Sequence, residues 1–314
     1  MKRFFSILLI NLLFLFSVFS IFEYLSYKRY EKIFKENFNT RNETQKKIMG
    51  SNDAYPYKTD IKLFDFYTYQ KEFRKPLGEN LKKKSIVIFG CSFAYGDGLT
   101  EKQTLSYKLY KKTKRPVYNK AFNGWSAQHM LYQLRMKDFY AQTGHPEYFI
   151  YVYMSDHIRR LYLPQWYFTS YETYLRYKLK NDDLEEIKPF LYQYWGLYSV
   201  RYLQEMYEKY VTLNPINEER NLNLLEKTIK ESNSIMKKQY PGSKFIILVY
   251  KNRNQITEKE TRIWSELEKS NIKILYAEDL LGDAYFSRKY TIADGHPNEK
   301  AWDVIVPKLA KLIN

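Results

Sequence analysis

The strongest constraint on how this chain can fold is a rhythm. From Lys82 to the C-terminus, short apolar runs alternate with segments of helical periodicity. Ser85-Ile86-Val87-Ile88-Phe89 stops at Gly90 and reads as a buried strand. Pro116–Phe122, Glu147–Met154, Lys244–Tyr250 and Ile272–Tyr276 read the same way. Helices are predicted between and after them, at Glu101–Lys112, Ser126–Tyr140, Glu218–Lys238 and Glu258–Ser270. A last one follows Pro297, where Trp302, Ile305, Val306, Leu309, Leu312 and Ile313 share a face. Pro297 suits a first helical turn, whereas Pro307 predicts a kink. Such alternation predicts an α/β domain: a five-stranded parallel sheet with helices on both faces. Right-handed crossovers then place the loops after the strands along one edge, where sites form in such sheets.

The segment before this domain has a different character. Lys2 and Arg3 precede an uncharged apolar run from Phe4 to Phe22, and about 19 such residues suffice to cross a bilayer. The run ends in Ser17-Val18-Phe19-Ser20-Ile21-Phe22, without the small-residue pattern of a cleaved signal peptide. Residues 1–26 are therefore read as a transmembrane anchor or uncleaved signal, residues 27–81 as a juxtamembrane segment with an irregular approach, and 82–314 as the folded domain. Lys28, Arg29, Lys32 and Lys35 outnumber Lys2 and Arg3, so a literal positive-inside count puts the domain in the cytoplasm. A short basic head before an N-terminal span usually exports the downstream domain, and an extracytoplasmic domain is the expectation.

Composition narrows the chemistry. One cysteine among 314 residues, Cys91, excludes a disulfide framework and any cysteine-cluster metal site. The four histidines (His129, His145, His157, His296) are scattered, without metal-ligand spacing, and no G-x-x-x-x-G-K phosphate loop occurs. Neither a metal nor another cofactor is expected. The net charge of +16 invites a nucleic-acid reading, but the basic residues are interspersed with Asp and Glu and form no recognised module, so no nucleic-acid partner is expected. A basic surface resting on anionic lipid stays open as a weaker idea.

The loops at the ends of the predicted strands hold the chemistry. Gly90-Cys91-Ser92-Phe93-Ala94-Tyr95-Gly96 follows the first, Asn123-Gly124-Trp125 the second, and Ser155-Asp156-His157 the third. Asp294-Gly295-His296-Pro297-Asn298 stands just before the last helix. A serine hydroxyl needs a base within hydrogen-bond reach to act as a nucleophile at neutral pH. His296 can serve as that base, with Asp294 holding the imidazole tautomer. The Ser92 amide, at a strand-to-helix turn, and the Gly124 amide suit an oxyanion. A helix-capping serine and a turn histidine are the bland readings of Ser92 and His296, and the joint arrangement outweighs them. Asp156 and His157 read as supporting groups that pin their loop through Arg159 or Arg160. His129 and His145 read as structural.

These blocks, in this order, resemble the SGNH/GDSL hydrolase superfamily. The resemblance spans Lys82 to Asn314 and implies a three-layer flavodoxin-like fold, with ester hydrolysis or acyl transfer through Ser92, His296 and Asp294. It also implies an oxyanion hole built from Ser92, Gly124 and the residue at Ser155. Three departures stand out. Cys91 replaces the Asp of Gly-Asp-Ser, and packing explains a cysteine beside a buried strand better than a nucleophilic role. Ser155 occupies the position of an Asn donor, and losing one such donor can cost roughly 100- to 1000-fold in turnover. The Asp-x-His spacing is one residue shorter than usual.

An aromatic-rich insertion at 161–210, with Trp166, Tyr167, Phe168, Trp195 and Tyr198, is read mainly as core, with a lid over the site as the alternative. The expected partner is a small acyl ester or an acylated cell-surface glycan. The alternative from another class is a catalytically weak or inactive binding protein that keeps the fold.

Overall fold

In the computed structural model, described residues are 10–29, 56–64, 67–74, 76–78, 80, 83–161, 177–180, 183–186, 199, 202–203, 206, 218–250 and 258–313. The chain forms two units. One comprises residues 1–43, 163–171 and 188–214, and the other holds the remainder.

In the first unit, α1 (Ile10–Arg29) is long and apolar enough to cross a membrane, with a mean hydropathy of 1.5. Near its C-terminal end, Glu23 Oε2 accepts the Ser199 amide at 2.7 Å. Tyr202 stands edge-on to Phe22, and the Arg29 guanidinium lies over the Tyr202 ring. Most of the aromatic insertion, including Trp166, Tyr167, Phe168, Trp195 and Tyr198, falls outside the described residues, and so does any lid.

The second unit begins with an antiparallel hairpin, β1 (Pro56–Phe64) and β2 (Tyr67–Arg74), where the sequence reading expected an irregular approach. The alternation Tyr57-Lys58-Thr59-Asp60-Ile61 is the period-two signal that marks it. The principal elements after it are β3 (Lys84–Gly90), α2 (Ser92–Tyr95), α3 (Leu105–Thr113), β4 (Val117–Asn119), α4 (Ala127–Arg135), α5 (Phe139–Thr143), β5 (His145–Met154) and α6 (Asp156–Arg160). A small hairpin, β6 (Tyr177–Lys180) and β7 (Asp183–Glu186), lies within the insertion. The rest is α7 (Glu218–Gln239), β8 (Lys244–Tyr250), α8 (Glu258–Lys269), β9 (Lys273–Tyr276), α9 (Ala277–Leu281) and α10 (Glu299–Ile313).

The central sheet has the order β4-β3-β5-β8-β9, and every pairing is parallel. Numbered within the sheet this is 2-1-3-4-5, the flavodoxin-like doubly wound order. Strand alternation sends Val87, Phe89, Phe149, Tyr151, Ile247 and Val249 into a core with α4, α7 and α8. Ile86, Ile88, Ile150, Val152, Ile246 and Leu248 point into a second core with α3, α9 and α10. Both faces are covered, which explains why these strands read as continuous apolar runs.

Several elements differ from the sequence reading. The second strand stops at Asn119 rather than Phe122; the Lys120 and Phe122 amides then bond to Ile88 and Gly90 carbonyls as the chain leaves the sheet. The helix expected over Ser126–Tyr140 divides into α4 and α5, because Met136 adopts extended backbone. α10 continues through Pro307.

Candidate active site

The site begins with the turn out of β3. Gly90 has φ +146, and a Cβ there would stand 2.8 Å from the Val152 carbonyl oxygen and 2.9 Å from Ala94 Cβ. Only glycine fits where the chain turns this sharply between β5 and α2. Cys91 is fully buried at the N-cap of α2, and Ser92 is the first helical residue, 9% exposed. The Gly96 and Asp97 amides both donate to the Ser92 carbonyl and close α2 after a single turn.

His296 arrives from the other end of the chain on a tightly closed loop. The Ile292 amide donates to the His296 carbonyl, the Gly295 amide to Ile292, and the Asn298 amide to Tyr290. Asn298 caps α10 by accepting the Ala301 amide, while its Nδ2 donates to the Lys289 and Thr291 carbonyls. α10 is itself tied to α3 by Lys108, whose ammonium meets Glu299 at 3.0 Å and Asp303 at 2.6 Å.

These two loops meet. His296 Nε2 lies 2.7 Å from Ser92 Oγ, across 204 positions of sequence. The ring packs against Phe93 at 5.2 Å between centroids, and Phe93 stands edge-on to Tyr250 at the end of β8. Asp294 Oδ1 is 2.9 Å from His296 Nδ1 and 3.1 Å from the His296 backbone N, whose hydrogen bond it accepts. The shortened spacing therefore makes an Asx-type turn, in which one oxygen serves both the backbone and the ring. Nδ1 gains the charge contact but no aligned hydrogen bond. Burial pushes the Asp294 carboxyl up, but the His296 ring beside it, together with the hydrogen bond from the His296 amide, outweighs that and holds the group below its ordinary value.

Gly124 lies in the loop after β4 with φ +80, a conformation glycine adopts without strain. Its amide donates to no backbone carbonyl among the described residues. Asn123 Nδ2 donates to Asp97 Oδ2 at 3.0 Å, linking this loop to the one after α2. Ser155 is buried in the turn between β5 and α6, where its carbonyl accepts the Ile158 amide.

Asp156 pairs with Arg160 at 3.0 Å, one helical turn away. The His157 side chain is enclosed rather than presented to the site. Its Nδ1 is 2.6 Å from the Tyr151 hydroxyl, and its ring packs between Tyr151 and Tyr153. Burial, aided by the charges of Arg160 and His129, keeps it neutral by pushing its pKa well below the usual value. His129 completes the turn at the start of α4, accepting the Ser126 amide through Nδ1 and stacking on Trp125. Among the described residues no group of three or more His, Cys, Asp or Glu could hold a metal ion.

Sequence reasoning missed Phe93 as the backing of the histidine and the Asp97–Asn123 link. Neither has a local signature, because each joins two loops.

No protein-family model matches the chain, and no curated protein does. Among solved structures it is similar to an acetyl xylan esterase from the rumen bacterium Butyrivibrio proteoclasticus, at 9% identity over 78% of this chain and 68% of that one, TM-score 0.42. It is similar also to a member of the lipolytic protein G-D-S-L family from Veillonella parvula, at 10% identity over 73% of this chain and 97% of that one, TM-score 0.42. A GDSL-like lipase from Bacteroides thetaiotaomicron matches at 11% identity over 73% and 87%, TM-score 0.38. The strand order 2-1-3-4-5, with the Ser92, Gly124 and Ser155 loops following β3, β4 and β5 and the Asp294/His296 loop leading into α10, is that of a three-layer, doubly wound flavodoxin-like α/β fold.

Proposed function

We propose that this domain is a serine-dependent ester hydrolase or O-acyl transferase acting on small, acetyl-like acyl esters. The observation that carries the reading is the 2.7 Å approach of His296 Nε2 to Ser92 Oγ. In this mechanism Ser92 Oγ attacks the ester carbonyl carbon as His296 takes its proton. The carbonyl oxygen becomes an oxyanion facing the Ser92 and Gly124 amides, with the Ser155 hydroxyl as third donor. Collapse of the tetrahedral intermediate breaks the bond to the leaving alcohol, which receives the proton from His296. Water, or the hydroxyl of an acceptor, then attacks the acyl-serine by the reverse sequence.

Asp294 stabilises the imidazolium formed in each half-reaction. Its side chain is 52% exposed and that of His296 20% exposed, so the centre is shallow. A shallow centre suits a small acyl group carried on a large acceptor. With α1 as an uncleaved anchor and the domain exported, an acylated cell-surface glycan is the substrate class we favour.

Labelling by a fluorophosphonate probe tests the reaction class. Wild-type protein is expected to label and to cleave p-nitrophenyl acetate, and Ser92→Ala to do neither. A wild type that does neither removes the enzyme reading.

A second reading has its own observation: the Nδ1 of His296 lacks an aligned acceptor, and Ser155 is shorter than the Asn donor of the resemblance. On that reading the domain binds an acylated glycan without turnover. Binding retained in Ser92→Ala, with no covalent adduct in the wild type, would select it.

A further inference from the structure

Arg160 belongs to none of the motifs, yet it joins the loops after three neighbouring strands. Its side chain is only 10% exposed, so a buried guanidinium with five N–H donors must find acceptors inside the protein. Nε donates to Asp156 Oδ2 at 3.0 Å and Nη1 to the Trp125 carbonyl at 2.9 Å. Nη2 approaches Met154 Sδ at 3.7 Å, and the Cys91 side chain also interacts with the guanidinium. Cys91 follows β3, Trp125 lies in the loop after β4, and Met154 and Asp156 flank the end of β5. A planar fork sets the relative orientation of all three, which a lysine ammonium does not.

Stability alone is a weak reason to keep such a group, since buried ion pairs can often be replaced by apolar packing without loss. The position of the Trp125 bond suggests what else it does. Between Asn119 and Ala127 the chain has no regular structure. Gly124 sits there at φ +80, between the Asn123–Asp97 bond on one side and the Trp125–Arg160 bond on the other.

We propose that Arg160 is a positioning residue: it clamps the loop after β4 onto α6 and the turn at Cys91, and so holds the Gly124 amide in register with Ser92. Its chemical consequence rests on the serine-hydrolase reading, whereas its geometric consequence does not.

The chain's eleven glycines make that geometry measurable. In full-length protein in detergent, labelled with isotopic glycine, Arg160→Gln is expected to shift the Gly124 amide resonance and to speed its hydrogen exchange at least tenfold. Gly242 and Gly282, in turns elsewhere in the fold, stay where they are. Turnover of p-nitrophenyl acetate per folded molecule is expected to fall about 100-fold in kcat with little change in KM, the size of effect a small misplacement produces. Arg160→Lys, which keeps the charge but loses the fork, is expected to restore less than a tenth of it.

Asp156→Asn removes one anchor of the guanidinium and should move Gly124 the same way by less, which supplies the test if Arg160→Gln does not fold. A Gly124 resonance unmoved in either folded variant, or one that moves together with Gly242 and Gly282, overturns the proposal. Selective movement of Gly124 in a protein that shows no turnover at all keeps the clamp and removes the hydrolase reading instead.

Discussion

Asp294→Asn separates the charge of this carboxylate from its role in the loop. The Asn carbonyl oxygen can still accept the His296 amide, as Asp294 Oδ1 does at 3.1 Å, so the turn is preserved and only the charge 2.9 Å from Nδ1 is lost. At that distance two unit charges attract by about 1.4 kcal/mol in bulk water and about 6 kcal/mol at an effective dielectric of about 20. The Asp294 side chain is 52% exposed, which places the contact towards the watery limit, at about 1.4–3 kcal/mol. The expected loss in kcat/KM for p-nitrophenyl acetate is therefore roughly 10- to 150-fold at low salt. It should shrink as ionic strength rises, because exposed charges are screened. A buried, aligned Asp in the serine-protease template is worth about 10,000-fold in the same substitution. A loss of that size here would show that the carboxylate acts as an enclosed partner and would refute the reasoning. A variant within about twofold of wild type would refute it from the other side, since RT ln 2 is well below the expected interaction.

Two further perturbations test other parts of the structure. Gly90→Ala puts a Cβ 2.8 Å from the Val152 carbonyl and 2.9 Å from Ala94 at a φ that alanine avoids; strain and overpacking together should cost about 2–6 kcal/mol, read as a lower urea midpoint. Burial pushes the Lys120 ammonium from 10.5 down to about 8, against the opposing pull of Asp138. Between those two values the unfolded chain holds a proton that the folded one has shed, so this group makes stability rise with pH across that window. Lys120→Met should abolish that rise in denaturation midpoints measured from pH 8 to 10, and an unchanged slope would show that the ammonium is not shielded as the structure has it.

Much of the domain was legible because its signals are local. Lys244–Tyr250 reads as a strand and is β8 residue for residue, since a strand buried on both faces leaves an uninterrupted apolar run. The turn at Gly90 was marked by a glycine in a chain that uses few. Local signals fail where neighbours decide. β4 ends at Asn119, whose side chain accepts the Ala121 amide and donates to the Ala94 carbonyl in α2, a partner no local pattern announces. The hairpin at Pro56–Arg74 is hard to read from sequence because charged residues interrupt its alternation. The structural role expected for His157 runs through a different partner, the Tyr151 hydroxyl rather than Arg159 or Arg160, because Tyr151 and Tyr153 enclose its ring.

The sequence alone determined that this is an α/β domain behind an apolar N-terminal helix, and it nominated Ser92, Gly124, Asp294 and His296, because strand periodicity, glycine turns and motif spacing are written in consecutive residues. Only the tertiary structure decided that Ser92 and His296 touch across 204 positions, that Asp294 reaches the ring from an exposed turn without an aligned hydrogen bond, and that Arg160 ties the loop after β4 to the end of β5 and to α6. Those distances depend on which strands lie side by side and how their loops pack, and neither is encoded at any one position of the chain.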